Sequence, residues 1–194
     1  MNHKQRKMER AYAKFLIELG TDLKDSNFKD TAERVAKATL EMLAFEDPEL
    51  FANEINHLFS KSFPSKYDGM VIVDNIKSKS ICPHHMLPVK YVVDVGYISK
   101  SGSAIGISKL PRLVKMLAQR RVLQETYTDE IASILAHRLQ AEGVMVIVRG
   151  DHTCMTCRGT NETDASTTTS SVYGLFKNDL GARQEFLSLI NNHK

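Results

Sequence analysis

Two short segments, far apart in the sequence, carry most of the side chains that could bind a metal ion. The first, Cys82–His85, places Cys82 and His85 at C-x-x-H spacing, which lets one tight turn present two ligands to Zn²⁺. The second, His152–Cys157, follows the apolar run Val144–Val148 and is therefore expected at the end of a strand. Alone, each segment fits a turn with a buried cysteine and surface histidines, but together they resemble two halves of one metal site.

Two ligand sets remain open for such a site. In a structural centre, Cys82, His85, Cys154 and Cys157 would close a four-ligand zinc site that does no chemistry. In a catalytic centre, the first three alone would bind, and a water molecule in the fourth position would lose its proton more readily.

The remaining histidines favour the catalytic set. His84 and His152 would then stand beside the metal as acid–base groups, since imidazole is the side chain whose charge changes near neutral pH. A structural centre needs no second pair of imidazoles.

A third segment could bind an anion. Ser108, Lys109 and Arg112 fall within one turn of a predicted helix start, where free backbone N–H groups and a partial positive charge favour phosphate. Arginine adds a planar donor fork, and Arg158 could place another charge beside the metal. The alternative is an ordinary amphipathic helix with solvated basic side chains.

A carboxylate is available near these groups. Glu125, with Gln124 beside it, could accept two N–H bonds from the edge of a guanine or a pterin. The alternative is a charged residue that merely precedes the helix expected from about Thr128.

Periodicity predicts the elements that must position these residues. Helices are predicted near residues 8–19, 30–43, 48–59, 108–117, 128–139 and 183–190, with a capping box at Asp30 and Glu33 and a C-cap at Gly20. Strands are predicted at 70–74, 89–97 and 144–149, with 155–159 and 167–172 extending the sheet and 104–107 pairing back on 89–97 through the turn 101–103. This order of elements predicts an α+β fold with an antiparallel sheet.

Composition narrows the class of protein. The 194 residues are 42% hydrophobic and 25% charged, which is a globular balance. A net charge of +3 is too small to indicate a nucleic-acid partner. Three cysteines argue against a disulfide framework and favour a reducing compartment. The sequence has no secretory segment and no membrane span of about 20 apolar residues. We therefore expect a cytoplasmic protein without a membrane partner.

With these segments in view, the chain resembles GTP cyclohydrolase I, of the tunnelling-fold (T-fold) group. The matching segments follow in the family's order: Asp30–Ala36, Ser80–Pro88, Gly106–Arg112, Gln124-Glu125, His152–Gly159 and the tail Phe176–Leu187. The resemblance implies a T-fold with two helices packed on one face of the antiparallel sheet. It also implies that residues 1–65 form an N-terminal helical region and residues 66–194 the catalytic domain.

The resemblance also implies an activity. The family opens the imidazole ring of GTP, releases formate and recyclises the product to 7,8-dihydroneopterin triphosphate, and its members form homodecamers with sites built between subunits. The matching positions are Cys82, His85 and Cys154 for Zn²⁺, His84 and His152 for catalysis, Ser108, Lys109, Arg112 and Arg158 for the triphosphate, and Glu125 with Gln124 for the guanine.

Two residues depart from the family's pattern. Pro83 stands where the family usually has Glu, which removes a carboxylate and a backbone N–H, and Cys157 is an extra thiol close to the ligands. We expect the metal geometry to survive, because Cys82 and His85 are unchanged.

Two alternative functions remain open. One is a related T-fold enzyme acting on another purine or pterin, and the other is a non-catalytic assembly protein stabilised by zinc.

Overall fold

The computed structural model describes residues 3–100 and 102–191. The chain divides into two compact units, Met1–Ala44 and Phe45–Lys194. The division predicted at residue 65 stays a prediction. Among the residues described, no helix combines the length and the apolar character needed to cross a membrane.

The first unit consists of two helices, α1 (His3–Glu18) and α2 (Thr31–Met42). Gly20 follows α1 with φ of +80°, a left-handed conformation that glycine adopts without strain, so the predicted C-cap is confirmed. Asp30 precedes α2, but its side chain caps no backbone N–H. It accepts a hydrogen bond from Arg34 at 3.2 Å instead, and the predicted capping box is therefore wrong.

The elements of the second unit are α3 (Pro48–Leu58), β1 (Phe63–Ser65), β2 (Met70–Ile81), β3 (Pro88–Ile98), β4 (Gly102–Ala104), α4 (Lys109–Ala118), α5 (Gln124–Leu139), β5 (Gly143–His152), α6 (Thr153–Thr156), β6 (Thr167–Gly174), α7 (Leu175–Asn178) and α8 (Leu180–Asn191). Four of the strands form an antiparallel sheet in the order β2-β3-β5-β6. The predicted α+β class with an antiparallel sheet is confirmed.

Helices α4 and α5 pack together on one face of this sheet, as predicted for a T-fold. Alternate residues of β3 point toward them and are buried: Val89, Tyr91, Val93, Val95 and Tyr97. The apolar faces of the two helices cover these side chains. A helix places apolar residues on one face when they recur every three or four positions, and a strand does so when they alternate, so the two apolar faces pack together. On the opposite face, Phe186 of α8 fills the space above Gly96, where an added Cβ would lie only 2.6 Å from its ring.

Two strand predictions are wrong. Residues 104–107 do not pair back on β3, because β2 and β5 already occupy both of its edges; the short strand β4 pairs with β1 instead. Ser101 of the predicted turn lies outside the described residues. Residues 155–159 do not extend the sheet, since the chain coils into α6, where Cys157 N donates to Thr153 O at 2.9 Å.

Helix α5 begins earlier than predicted. Its first residue is Gln124, not Thr128, so Gln124 and Glu125 lie in its first turn. Leu123 occupies the N-cap position without a side-chain cap, which explains why no capping signal marks this boundary in the sequence.

Candidate active site

The first cysteine segment forms the tight turn between β2 and β3. Cys82 N donates to Leu87 O at 2.8 Å, and Met86 N donates to Cys82 O at 2.9 Å. Cys82 is buried by this folding, whereas His84 and His85 are exposed. The Cys82 Sγ lies 3.8 Å from His85 Nδ1, so the turn presents both predicted ligands on one side.

The second cysteine segment reaches the same end of the sheet from β5. The antiparallel register pairs His152 with Val89, the second residue of β3. Thr153 donates through Oγ1 to Pro88 O at 2.5 Å and fixes the start of α6 beside that strand. Cys154 follows in α6, and its Sγ lies 3.7 Å from the Cys82 Sγ.

The donor geometry fits a tetrahedral metal ion. Two thiolates bound at about 2.3 Å to tetrahedral Zn²⁺ are about 3.8 Å apart. The observed 3.7 Å agrees with this value, and both cysteines are free thiols. A ligand atom from each of Cys82, His152 and Cys154 lies within 4.8 Å of the others. The two halves expected from the sequence therefore meet.

This cluster differs from the expected ligand set in one residue. Among the described side chains, His152 joins the two cysteines within 4.8 Å, and His85 is not part of that group. His85 is exposed on the turn. Cys157 is exposed and also lies outside the group.

Electrostatic surroundings differ between Cys154, a predicted metal ligand, and His152, a predicted catalytic residue. Burial raises the pKa of the Cys154 thiol, and the neighbouring Cys82 acts in the same direction, whereas the Arg158 charge lowers it. Burial lowers the pKa of His152, against the opposing charges of Glu125 and Asp151. A bound cation would favour the thiolate form of Cys154, because metal ligands bind deprotonated.

A buried amide stands behind His152. The Gln124 side chain is 3% exposed, and its Oε1 lies 2.8 Å from His152 Nε2. Gly150 provides the space for this contact, since an added Cβ would collide with Gln124 Oε1. The predicted contact of Gln124 with a guanine stays a prediction; its side chain is turned toward the protein interior.

Tyr91 lies beneath the site. The sequence pattern indicates only that it is a strand residue of the core. Its ring meets that of His152 edge-on at 6.1 Å and stacks on Tyr127 at 4.9 Å. Burial raises the pKa of its hydroxyl, with smaller contributions from Cys82 and Glu125. Strand alternation predicts that Tyr91 points inward, but only the register with Gly150 places it under His152.

The predicted site residues other than Arg158 line two cavities. The smaller one, about 190 Å³, is lined by the candidates for metal binding, catalysis and guanine binding: Cys82, His84, His85, Gln124, Glu125, His152 and Cys154. The larger one, about 480 Å³, contains Ser108, Lys109 and Arg112 at the start of α4. Among the described residues none lines both cavities, and Arg158 is exposed and lines neither.

The larger cavity is strongly basic. Lys61 and Lys115 add to the charges of Lys109 and Arg112, and Glu54 is the acidic residue in the lining. Ser108 makes no side-chain cap bond to α4. The Lys109 ammonium donates to the carbonyl oxygen of Lys61. This cavity is suited to a polyanion.

Comparison with known proteins supports one family. Residues 8–191 match the family model described as GTP cyclohydrolase I. The chain is 39% identical to "GTP cyclohydrolase 1" of Halalkalibacterium halodurans, over 95% of each chain. It is also 39% identical to the protein of that name from Corynebacterium glutamicum, over 94% of this chain and 91% of that one. Among solved structures, the archaeosine synthase QueF-Like in the apo form has a TM-score of 0.47 at 17% identity, covering 56% of this chain and 97% of that one.

Proposed function

The chain belongs to the GTP cyclohydrolase I family of enzymes, and from this premise we propose that it opens the imidazole ring of GTP at C8. Formate leaves, and the remainder recyclises to 7,8-dihydroneopterin triphosphate. The observation that carries the proposal is the pair of sulfurs 3.7 Å apart, Cys82 and Cys154, at a cavity that Glu125 and His152 also line.

The cofactor of this reaction is proposed to be Zn²⁺, held by Cys82, His85 and Cys154. The sulfur separation and the 3.8 Å between Cys82 Sγ and His85 Nδ1 support this set. Two thiolates favour zinc over harder divalent ions. When bound, the ion is a Lewis acid that lowers the pKa of a water molecule toward neutrality. The alternative third ligand is His152, which has a ligand atom within 4.8 Å of both sulfurs.

Side chains around the smaller cavity provide recognition and proton transfer. Glu125 is exposed in the first turn of α5, where its carboxylate can accept two N–H bonds from the guanine edge. His152 and His84 line the same cavity and are proposed to move protons during ring opening and recyclisation.

The triphosphate is proposed to bind in the basic cavity. Ser108, Lys109 and Arg112 provide a hydroxyl, an ammonium and a guanidinium at its lining, and Arg158 would add a charge from the side of Cys154. Converging cations are needed because a triphosphate carries several negative charges in a small volume.

The separation into two cavities supports a site shared between copies of the chain. A nucleotide that uses both sets of residues needs them side by side, and in one chain they line different cavities. We therefore propose self-association, with the homodecamer of the family as the expected form and the cytoplasm as its location. Mass measurement in solution tests the assembly.

The activity is tested with the purified protein, GTP and added Zn²⁺. Formate and a pterin that becomes fluorescent after oxidation are the expected products. Glu125→Gln is the matched variant, since it removes the guanine-binding charge without touching a metal ligand. Absence of both products from zinc-loaded wild-type protein would refute the proposed function, and release of formate from a different purine would indicate a related T-fold enzyme.

A further inference from the structure

The orientation of the Gln124 amide is fixed by two groups that can only accept hydrogen bonds. One end of the amide lies 3.1 Å from Val148 O and 2.9 Å from Thr167 O. Both are backbone carbonyls, so this end must be the NH₂ group. The other end, the carbonyl oxygen Oε1, therefore faces His152 Nε2 at 2.8 Å.

A chain of hydroxyl groups supports the same orientation. Thr128 donates through Oγ1 to the backbone oxygen of Gln124 at 2.7 Å. Its single proton is then used, so the 2.6 Å contact between Thr128 Oγ1 and Thr169 Oγ1 must be donated by Thr169. Thr169 Oγ1 is left as an acceptor, and it lies 3.2 Å from the Gln124 NH₂ group. The hydroxyl protons of Thr128 and Thr169 therefore each have one consistent position, and the two protons of the NH₂ group face three acceptors.

We propose that Gln124 is a positioning residue that holds His152 with its proton on Nε2 and its lone pair on Nδ1. An amide oxygen only accepts, so the nitrogen facing it must donate. Nδ1 consequently carries the lone pair that can accept a hydrogen bond or bind a metal ion.

Gly150 belongs to the same arrangement. An added Cβ would collide with Gln124 Oε1 and lie 3.0 Å from His152 Nε2. The contact with Gln124 cannot be relieved by moving that side chain into solvent, because Gln124 is buried and bonded at both ends. Any side chain at Gly150 should therefore separate the amide from the imidazole.

The test is ¹⁵N NMR of histidine-labelled protein, before and after removal of zinc. For neutral His152 in wild-type protein, the expected pattern is a protonated Nε2 and an unprotonated Nδ1. Gln124→Met, which removes the acceptor at similar length, should give a mixture of both tautomers. Gln124→Glu keeps an acceptor oxygen toward Nε2, and its carboxyl group when protonated can still donate to Thr167 O, so this variant should retain the Nε2–H form. A wild-type spectrum with the lone pair on Nε2 would overturn the proposal, whatever the enzyme does with GTP.

Kinetics separate positioning from direct substrate binding. The catalytic meaning of the tautomer rests on the proposed function, whereas the NMR measurement does not. Gln124→Met should lower kcat about 10- to 100-fold with a much smaller change in KM for GTP. Gly150→Ala should reproduce the mixed tautomers with Gln124 still present, and Thr169→Val, which leaves both carbonyl acceptors, should change neither readout. A rise in KM alone would assign Gln124 to the substrate instead.

Discussion

The Cys82 and Cys154 sulfurs lie 3.7 Å apart although 72 positions separate the residues in the sequence. The β2–β3 turn supplies one and the β5–α6 junction supplies the other, because the antiparallel register brings both chain reversals to the same end of the sheet. A metal ion bound there would link the β2–β3 turn directly to the β5–α6 junction.

The third metal ligand can be identified by substituting each of the two candidate histidines in turn. We expect His85→Asn to lose bound zinc, and His152→Asn to retain it while kcat falls at least about 100-fold through loss of an acid–base group. Metal content by mass spectrometry of the purified proteins measures the first effect. Zinc lost from the His152 variant and kept in the His85 variant would assign His152 to the metal.

The role of Cys157 can be tested against that of Cys154. Cys157→Ser should leave zinc content unchanged, because this thiol is exposed and outside the donor cluster. Cys154→Ser should remove most of the zinc, because it deletes one sulfur of the 3.7 Å pair. If both variants lose zinc equally, the closed four-ligand centre is the correct description.

Pro83 should be dispensable for metal binding. It lies in the turn between the two proposed ligands Cys82 and His85, and the turn's hydrogen bonds use Cys82, Met86 and Leu87 rather than Pro83. Pro83→Glu is therefore expected to retain zinc. A large gain in turnover, measured by formate release, would mean that the native turn limits the enzyme, while loss of zinc would contradict the geometry argued above.

Arg112 should control affinity for the phosphates. Replacing it with Ala removes a donor fork from the basic cavity, so KM for GTP should rise about tenfold, with less change in kcat. Arg138 is the control: it bonds Asn56 at 2.6 Å and lies outside that cavity lining. Equal losses in the Arg138→Ala and Arg112→Ala variants would point to a general charge effect.

The ion pair of Glu46 with Arg121 should make the free energy of unfolding depend on pH. The carboxylate accepts from Arg121 Nε at 3.2 Å and from a second guanidinium nitrogen at 3.1 Å, and this bonding lowers the pKa of Glu46. The stabilisation is present above the unfolded-state pKa of about 4.3 and disappears as pH falls through the lower folded-state value.

Glu46→Gln should accordingly lower the free energy of unfolding at pH 7 by about 0.5–1 kcal/mol, since Arg121 is half exposed. The difference from wild type should shrink in denaturant titrations performed below about pH 4. A difference that stays constant between pH 7 and pH 3 would show that the ion pair does not cause it.

The sequence predicts the central elements well because their patterns are local. Alternation from Val89 to Tyr97 indicates a strand with one buried face, and the spacing of Cys82 and His85 indicates a ligand turn. Both require only neighbouring residues. The predicted pairing of residues 104–107 with β3 is wrong because both edges of β3 are occupied by β2 and β5. Which edges are occupied is a property of the whole fold.

The environment of Gln124 could not be predicted for a related reason. Its polarity and its place beside Glu125 suggest a ligand contact, yet its acceptors come from β5 and β6, and the space it enters exists because residue 150 is glycine. Such a fit depends on the register of several strands at once. A glycine near the end of an otherwise apolar strand is a weak sequence signal of a close approach.

The hydrogen bond from Lys109 to the carbonyl of Lys61 anchors the ammonium at the lining of the basic cavity. Because an ammonium has three N–H donors, Lys109 can keep this bond and still donate to an incoming anion. A ligand bearing several charged groups can also reach Arg112 and Lys115. Nucleoside monophosphates, which offer fewer charged oxygens to these cations, should therefore compete weakly with the proposed triphosphate substrate.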